Sequence, residues 1–178
     1  MKMKKVFVIL LGMVAFSGYS QEDVVVPSIT GMLEYAQGNI LQLAGAFSEE
    51  QMDWRPAEGV RSTGETILHT AAANYFIAMG MGFTIPEGID PMAMESAIKG
   101  KDNIIEAFKK SSEFIKEKMQ MVESGTFGEE VDLGFMKSTK LSSMLIILEH
   151  NGEHKGQLIA YARANGVTPP WSQPQQSE

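Results

Sequence analysis

Apolar residues recur every three or four positions along four long stretches of the chain. This spacing places them on one face of an α-helix, and it predicts helices over residues 27–47, 63–81, 102–122 and 138–164. The pattern is clearest in the first stretch, where the apolar positions are Ile29, Leu33, Ala36, Ile40, Leu43 and Phe47. Each predicted helix therefore has one face to bury, and four such faces can enclose a common core.

The predicted helix ends carry recognisable signals. Pro27 suits the first turn of a helix, where its missing N–H is not needed. Ser62 is followed three residues later by Glu65, which is the spacing of a capping box at the start of the second helix. Asn165 and Gly166 predict a left-handed cap at the end of the fourth helix.

The segments between these helices show no sustained period. We predict connections over residues 48–59 and 82–91 and a short turn over 92–98. Residues 123–139 are predicted as a long connection with an extended piece at 131–135. The expected fold is all-α: a four-helix bundle whose long second and third connections leave room for a crossover.

The first twenty residues have the layout of a signal peptide. Three lysines lie among the first five residues, an apolar run follows over 6–16, and small and polar residues come next. Cleavage after Ser20 fits the small-residue rule, and cleavage after Ser17 fits nearly as well. The run is short for a membrane anchor, which is the alternative. We therefore expect a signal peptide over 1–20 and export to a periplasm or to the outside of the cell.

The remaining domain boundaries follow from the helix pattern. The bundle is expected over 21–170, and the polar end of the chain, 171–178, is expected to be a flexible tail. After removal of the signal peptide, no membrane span is expected.

Composition excludes several classes of function. The chain has 15 Lys and Arg against 22 Asp and Glu, and its formal charge of −7 argues against nucleic-acid binding. It has no cysteine, which excludes disulfides, iron–sulfur clusters, thiolate zinc sites and a cysteine nucleophile. Three histidines remain as the strongest candidates for chemistry.

These histidines have the spacing of a metal site. His150 and His154 lie four residues apart on the fourth predicted helix, so one face of that helix offers two imidazoles. His69 lies on the side of the second helix that is predicted to face the bundle interior. Three imidazoles suit zinc, nickel, copper or ferrous iron and leave positions open for a small-molecule ligand or water. The catalytic residues, if any, stay unknown.

Three further residues are candidates for a supporting role. Glu65 could be a fourth ligand or an acceptor for an imidazole N–H, although the capping role is favoured. Gln157, one turn after His154, could orient a ligand or a bound water. Tyr161 could close the site as a hydrogen-bond donor, and packing is its other interpretation.

Three sequence segments resemble a known family. They are Trp54-Arg55-Pro56, GETILH at 64–69, and EHNGEHKGQLIAYARANGVTPP at 149–170. Together they resemble the DinB-like superfamily of metal-binding four-helix bundles, over residues 27–170. The resemblance implies that His69, His150 and His154 bind a divalent metal, commonly nickel or zinc, and that the protein forms homodimers.

The resemblance implies less about activity. Characterised relatives include bacillithiol-dependent thiol transferases and a mycothiol-dependent maleylpyruvate isomerase, in which the metal holds a cofactor thiol as thiolate. Export would separate this chain from the cytosolic thiols. Three hypotheses follow: a metal-dependent transferase or hydrolase, a non-catalytic metal-binding module, and a bundle that acts through protein contacts alone.

Overall fold

The computed structural model describes residues 22–173 of the 178-residue chain. The predicted signal peptide at 1–20 and the last part of the predicted tail, 174–178, lie outside the described residues. The predicted tail begins at residue 171, within the described residues. There, Pro170–Ser172 form a single turn of 3-10 helix.

Four long helices and two short ones form the described structure. They are α1 (Glu22–Ala46), α2 (Glu49–Asp53), α3 (Thr63–Gly80), α4 (Met94–Ala97), α5 (Lys101–Gln120) and α6 (Lys140–Ala164). A small hairpin of strands β1 (Glu130–Asp132) and β2 (Lys137–Thr139) precedes α6. The predicted all-α bundle is therefore confirmed. None of the described helices combines the length and apolar character needed to cross a membrane.

The long helices alternate around the bundle. Helix α1 packs against α5 and α6, and α3 packs against the same two helices. Helices α1 and α3 therefore lie diagonally opposite each other, as do α5 and α6. The connection from α1 to α3 and the connection from α5 to α6 cross the bundle. Room for a crossover is expected in the second and third connections. The third, from α5 to α6, does cross the bundle, whereas the second joins the neighbours α3 and α5.

The predicted apolar stripe of α1 forms one wall of the core. Leu33, Ile40 and Leu43 are fully buried there. They share the core with residues such as Phe108 of α5 and Ile147 of α6. Since full burial of a large aliphatic side chain stabilises a fold by about 1.5–3 kcal/mol, this stripe is a principal source of stability and fixes which face of α1 points inward.

The predicted helix ends are confirmed at two places. The Ser62 side chain accepts the Glu65 N–H at 3.2 Å, and the Glu65 carboxylate accepts the Ser62 N–H at 2.8 Å. At the end of α6, Gly166 has a φ of 71° and the Val167 N–H donates to the Ala162 carbonyl at 2.8 Å. This is the Schellman arrangement, in which glycine accepts a left-handed conformation without strain.

Two predicted boundaries were wrong in detail. Helix α1 extends back to Glu22, so Pro27 lies inside it rather than in its first turn. The exposed Pro27 removes one backbone hydrogen bond, which a long and well-packed helix tolerates. The predicted connection 48–59 contains α2, because Ser48 and Gln51 form a capping box of their own.

The predicted connection 123–139 is an ordered hairpin rather than a structureless loop. Val131 pairs with Ser138, while residues 133–136 form the turn, so only the beginning of the predicted extended piece is a strand. Leu133 packs so closely on α3 that a Cβ on Gly80 would lie 3.0 Å from its Cα. Gly80 ends the helix that carries His69 near its beginning, and eleven residues of helix span roughly 16 Å. The hairpin is thus at the far end of α3 from the histidines.

Candidate metal site

The three histidines meet where α3 packs against α6. The His150 Nε2 lies 3.2 Å from the His69 Nε2 and 3.1 Å from the His154 Nε2. One ligand atom from each ring can be chosen so that all lie within 4.8 Å of one another. His154 is buried, and the other two rings are partly buried. The structure thus brings together all three residues that the sequence nominates as ligands, in a position to hold a metal ion.

The spacing of these nitrogens fits a single metal ion. Imidazole nitrogens bind zinc at about 2.0–2.1 Å, which separates two ligands by about 2.9 Å at a right angle and by about 3.3 Å at the tetrahedral angle. The observed separations of 3.1 and 3.2 Å lie between these values. Nitrogen lone pairs at such short range repel unless a proton or a cation lies between them. The donor set therefore fits a borderline divalent cation such as zinc or nickel.

Hydrogen bonds on the opposite side of two rings set their tautomers. The His69 Nδ1 lies 3.1 Å from Glu95 Oε1, and the His154 Nδ1 lies 2.8 Å from Gln157 Oε1. Both acceptors are oxygens, so each Nδ1 carries the proton that it donates. In a neutral imidazole this leaves Nε2 with a free lone pair, which is the form that binds a metal.

The third ring is held differently. His150 Nδ1 is buried, and no hydrogen-bond partner for it exists in the part of the chain that the structure describes. Its Nε2 lies between the Nε2 atoms of His69 and His154. His150 is therefore the central member of the cluster in the sense that its Nε2 contacts both other Nε2 atoms.

The surroundings of His150 and His69 favour the uncharged form of these two rings. Burial, with smaller contributions from His154, His69 and Arg61, lowers the pKa of His150 to about 4. Burial also lowers the pKa of His69, helped by Arg61 and His154, while Glu95 acts in the opposite direction. Near neutral pH these two imidazoles are ready to donate a lone pair without first losing a proton.

Gln157 and Tyr161 form a chain of hydrogen bonds behind His154. Gln157 donates from Nε2 to the Tyr161 hydroxyl at 2.7 Å, and that hydroxyl donates to the Arg61 carbonyl at 3.2 Å. The Trp54 ring packs edge-on against Tyr161, with centroids 5.3 Å apart. Gln157 thus contacts a candidate ligand directly, whereas Tyr161 supports Gln157.

Glu65 has both carboxylate oxygens occupied elsewhere. One accepts the Ser62 N–H at 2.8 Å, and the other accepts from Arg55 at 3.1 Å. The Ser62 N–H, and then the Arg55 guanidinium, lower the pKa of this carboxyl against the opposing effect of burial. The capping interpretation of Glu65 is therefore correct, and the structure gives it no contact with the histidines.

The carboxylate that does contact a histidine is Glu95, which the sequence analysis missed. It lies on α4, 26 residues after His69 in the chain. Its second oxygen accepts from Arg61 Nε at 2.8 Å. The predicted short turn at 92–98 anticipated the local structure, but no spacing in the sequence links this segment to the first turns of α3.

Comparisons with known proteins agree with this architecture. A sequence profile described as the DinB superfamily matches residues 32–158. A DinB-like protein from Bacillus cereus ATCC 10987 superposes with a TM-score of 0.70 at 16% identity, covering 81% of this chain and 95% of that one. A DinB-like protein from Bacillus subtilis superposes with a TM-score of 0.63 at 19% identity, covering 84% of this chain and 99% of that one. A conserved protein from Enterococcus faecalis superposes with a TM-score of 0.62 at 14% identity, covering 78% of this chain and 95% of that one. No curated protein shows significant similarity. At these identities the solved structures support the fold alone.

Proposed function

Since the chain belongs to the DinB superfamily, we propose that it binds one divalent metal ion, nickel or zinc, through His69, His150 and His154. The observation that carries this proposal is the convergence of three imidazole Nε2 atoms at separations of 3.1 and 3.2 Å. The tautomers set by Glu95 and Gln157 support it, because they leave two of these atoms free to donate.

Three neutral ligands give the site a definite chemical preference. They leave at least one coordination position open and neutralise none of the charge of the ion. When bound, the ion would act as a Lewis acid that lowers the pKa of a thiol or water ligand. We therefore propose an anionic small-molecule ligand, such as a thiolate, at the open position.

The catalytic version of this function is a metal-dependent transferase acting on a thiol, or a hydrolase. In either case the chain holds the ion and its ligand, with Glu95 and Gln157 fixing the two outer imidazoles. Thiol transfer suits the site better than reactions that need a separate base, because a metal-bound thiol is deprotonated by the ion itself.

One observation favours a non-catalytic metal-binding module as the second candidate. Within residues 22–173, Glu95 is the one carboxylate that contacts a histidine of the cluster, and both its oxygens are already engaged. Glu149 and Glu153 are exposed on α6. No free general base thus adjoins the ligands in the described structure, which a binding function does not require.

The proposal also includes the cellular context. Export is supported by the lysine-led apolar run in residues 1–20. Homodimer formation is supported by the family resemblance alone.

Metal content measured by mass spectrometry on untagged protein tests the proposal. We expect about one equivalent of zinc or nickel in the native protein and almost none in His150→Ala. Glu153→Ala, an exposed change on the same helix, is the matched control and should keep the metal. Circular dichroism of the metal-free proteins checks that His150→Ala is folded. A native protein without metal, whose melting temperature does not rise when zinc or nickel is added, would contradict the proposal.

Activity assays then separate the two candidate functions. The native and His150→Ala proteins are tested with thiols plus electrophiles and with esters and amides. Turnover that requires the metal and is lost in His150→Ala supports an enzyme. A fully loaded protein without turnover supports the non-catalytic module.

A further inference from the structure

We propose that Glu95 is a positioning residue that couples the short helix α4 to the metal ion. This inference rests on the metal site proposed above. Glu95 would hold His69 in the orientation and tautomer that bind the ion, so metal affinity would depend on whether α4 is docked on α3.

The contacts of Glu95 support this role directly. Its carboxylate spans two groups, with Oε1 at 3.1 Å from His69 Nδ1 and Oε2 at 2.8 Å from Arg61 Nε. Because the two oxygens are engaged by different residues, the carboxylate has one favourable orientation. Arg61 precedes the first residues of α3, and His69 lies two turns into that helix. Glu95 thus ties α4 to α3 at the end where the histidines lie.

Helix α4 is short and is held by one buried side chain besides Glu95. It is a single turn within the connection from α3 to α5, and a helix this short is not stable by itself. Met94 anchors it in the core at 5% exposure. On the side of Met94 and Ala97, a cleft of 720 Å³ extends to Tyr75 and Lys110. Met94 thus docks α4 in the core, and the two Glu95 contacts add a polar tie between this helix and the histidine cluster.

The contacts of the Glu95 carboxylate with His69 and Arg61 differ from an ordinary surface ion pair. Exposed pairs of this kind contribute little to stability. The Glu95 side chain is one-third exposed, so the Arg61 contact alone would have a small effect. Its importance lies in the second oxygen, because an acceptor on the non-ligating nitrogen of a metal-bound histidine typically changes metal affinity by about 10–100-fold.

Linkage makes the coupling reciprocal. If docking of α4 through Glu95 raises the affinity of the site for the metal, the metal must stabilise the docked helix by the same factor. The amides of α4, Met94–Ala97, should therefore exchange with solvent more slowly when zinc is bound. If Glu95 merely stabilised the fold, this local response to zinc would persist unchanged in Glu95→Ala.

Zinc affinity of the untagged full chain, measured by competition with a chelator, tests the proposal. We expect a loss of about 10–100-fold for Glu95→Ala. Glu95→Gln keeps an oxygen acceptor without the charge and should recover part of that loss. Glu106→Ala is the matched control, because it removes an exposed carboxylate paired with Lys110 on α5. Hydrogen exchange with and without zinc supplies the second readout, and nitrogen NMR of His69 reports whether its proton stays on Nδ1.

The outcomes distinguish this proposal from the metal site on which it rests. Zinc affinity of Glu95→Ala within twofold of native, together with zinc-independent exchange in α4, would overturn the role of Glu95 and leave the metal site intact. A native protein that binds no zinc or nickel would overturn both. A weakened Glu95→Ala that remains folded, with partial recovery in Glu95→Gln, would support the coupling.

Discussion

The two outer histidines of the cluster are oriented by different kinds of partner. His154 donates to Gln157, which lies one turn later on the same helix. His69 donates to Glu95, which reaches it from a separate one-turn helix. The first arrangement forms as soon as α6 forms. The second exists only after the connection between α3 and α5 has packed in place.

This difference has consequences for affinity and for dynamics. The acceptor for His69 is a carboxylate, and a charge-assisted hydrogen bond is roughly twice as strong as a neutral one. The acceptor for His154 is a neutral amide, itself held by Tyr161. We therefore expect the Glu95–His69 contact, which depends on tertiary packing, to contribute more to metal binding than the Gln157–His154 contact. We also expect it to be the more easily disturbed of the two.

On α6, where the partner of His154 lies on the same helix, Gln157→Ala is expected to have the largest effect on zinc binding outside the ligands themselves. Loss of the amide acceptor should weaken zinc binding by about tenfold, which is less than the loss in Glu95→Ala, because a neutral partner is removed. Chelator competition measures the affinity, with Glu153→Ala as the control on the same helix. The exchange of α4 amides should keep its zinc dependence. A larger loss in Gln157→Ala than in Glu95→Ala would reverse the comparison.

The smallest effect on metal binding is expected for Glu65→Gln. The amide keeps one acceptor for the Ser62 N–H but loses the ion pair with Arg55. Urea denaturation should show a decrease of about 0.5–1 kcal/mol in the free energy of unfolding, as for weakened helix caps. Zinc affinity should stay within twofold of native. A tenfold loss of zinc affinity would show that Glu65 belongs to the metal site.

Local signals explain how much of this structure the sequence could predict. The apolar stripe from Ile29 to Phe47, the Ser62 capping box and the turn at Gly166 all depend on neighbours within a few residues, and all were predicted. His150 and His154 are brought together by helical spacing alone. The bundle then supplies His69, since α3 packs against α6.

The missed features depend on contacts between distant segments or on signals too short to stand out. Glu95 reaches His69 only because Met94 docks α4 in the core, and nothing near Glu95 in the sequence marks that contact. The hairpin depends on Leu133 packing against Gly80, which lies on another helix. Helix α2 had a readable signal in Ser48 and Gln51, but its single turn has no apolar period.

X-ray absorption spectroscopy of the metal-loaded, untagged protein tests the central claim most directly. The account predicts scattering from three imidazoles bound through nitrogen at about 2.0–2.1 Å, together with one or more light ligands that exchange when a thiol is added. A coordination shell of oxygen atoms alone, or one with fewer than three imidazoles, would contradict the assignment of His69, His150 and His154 as the metal ligands.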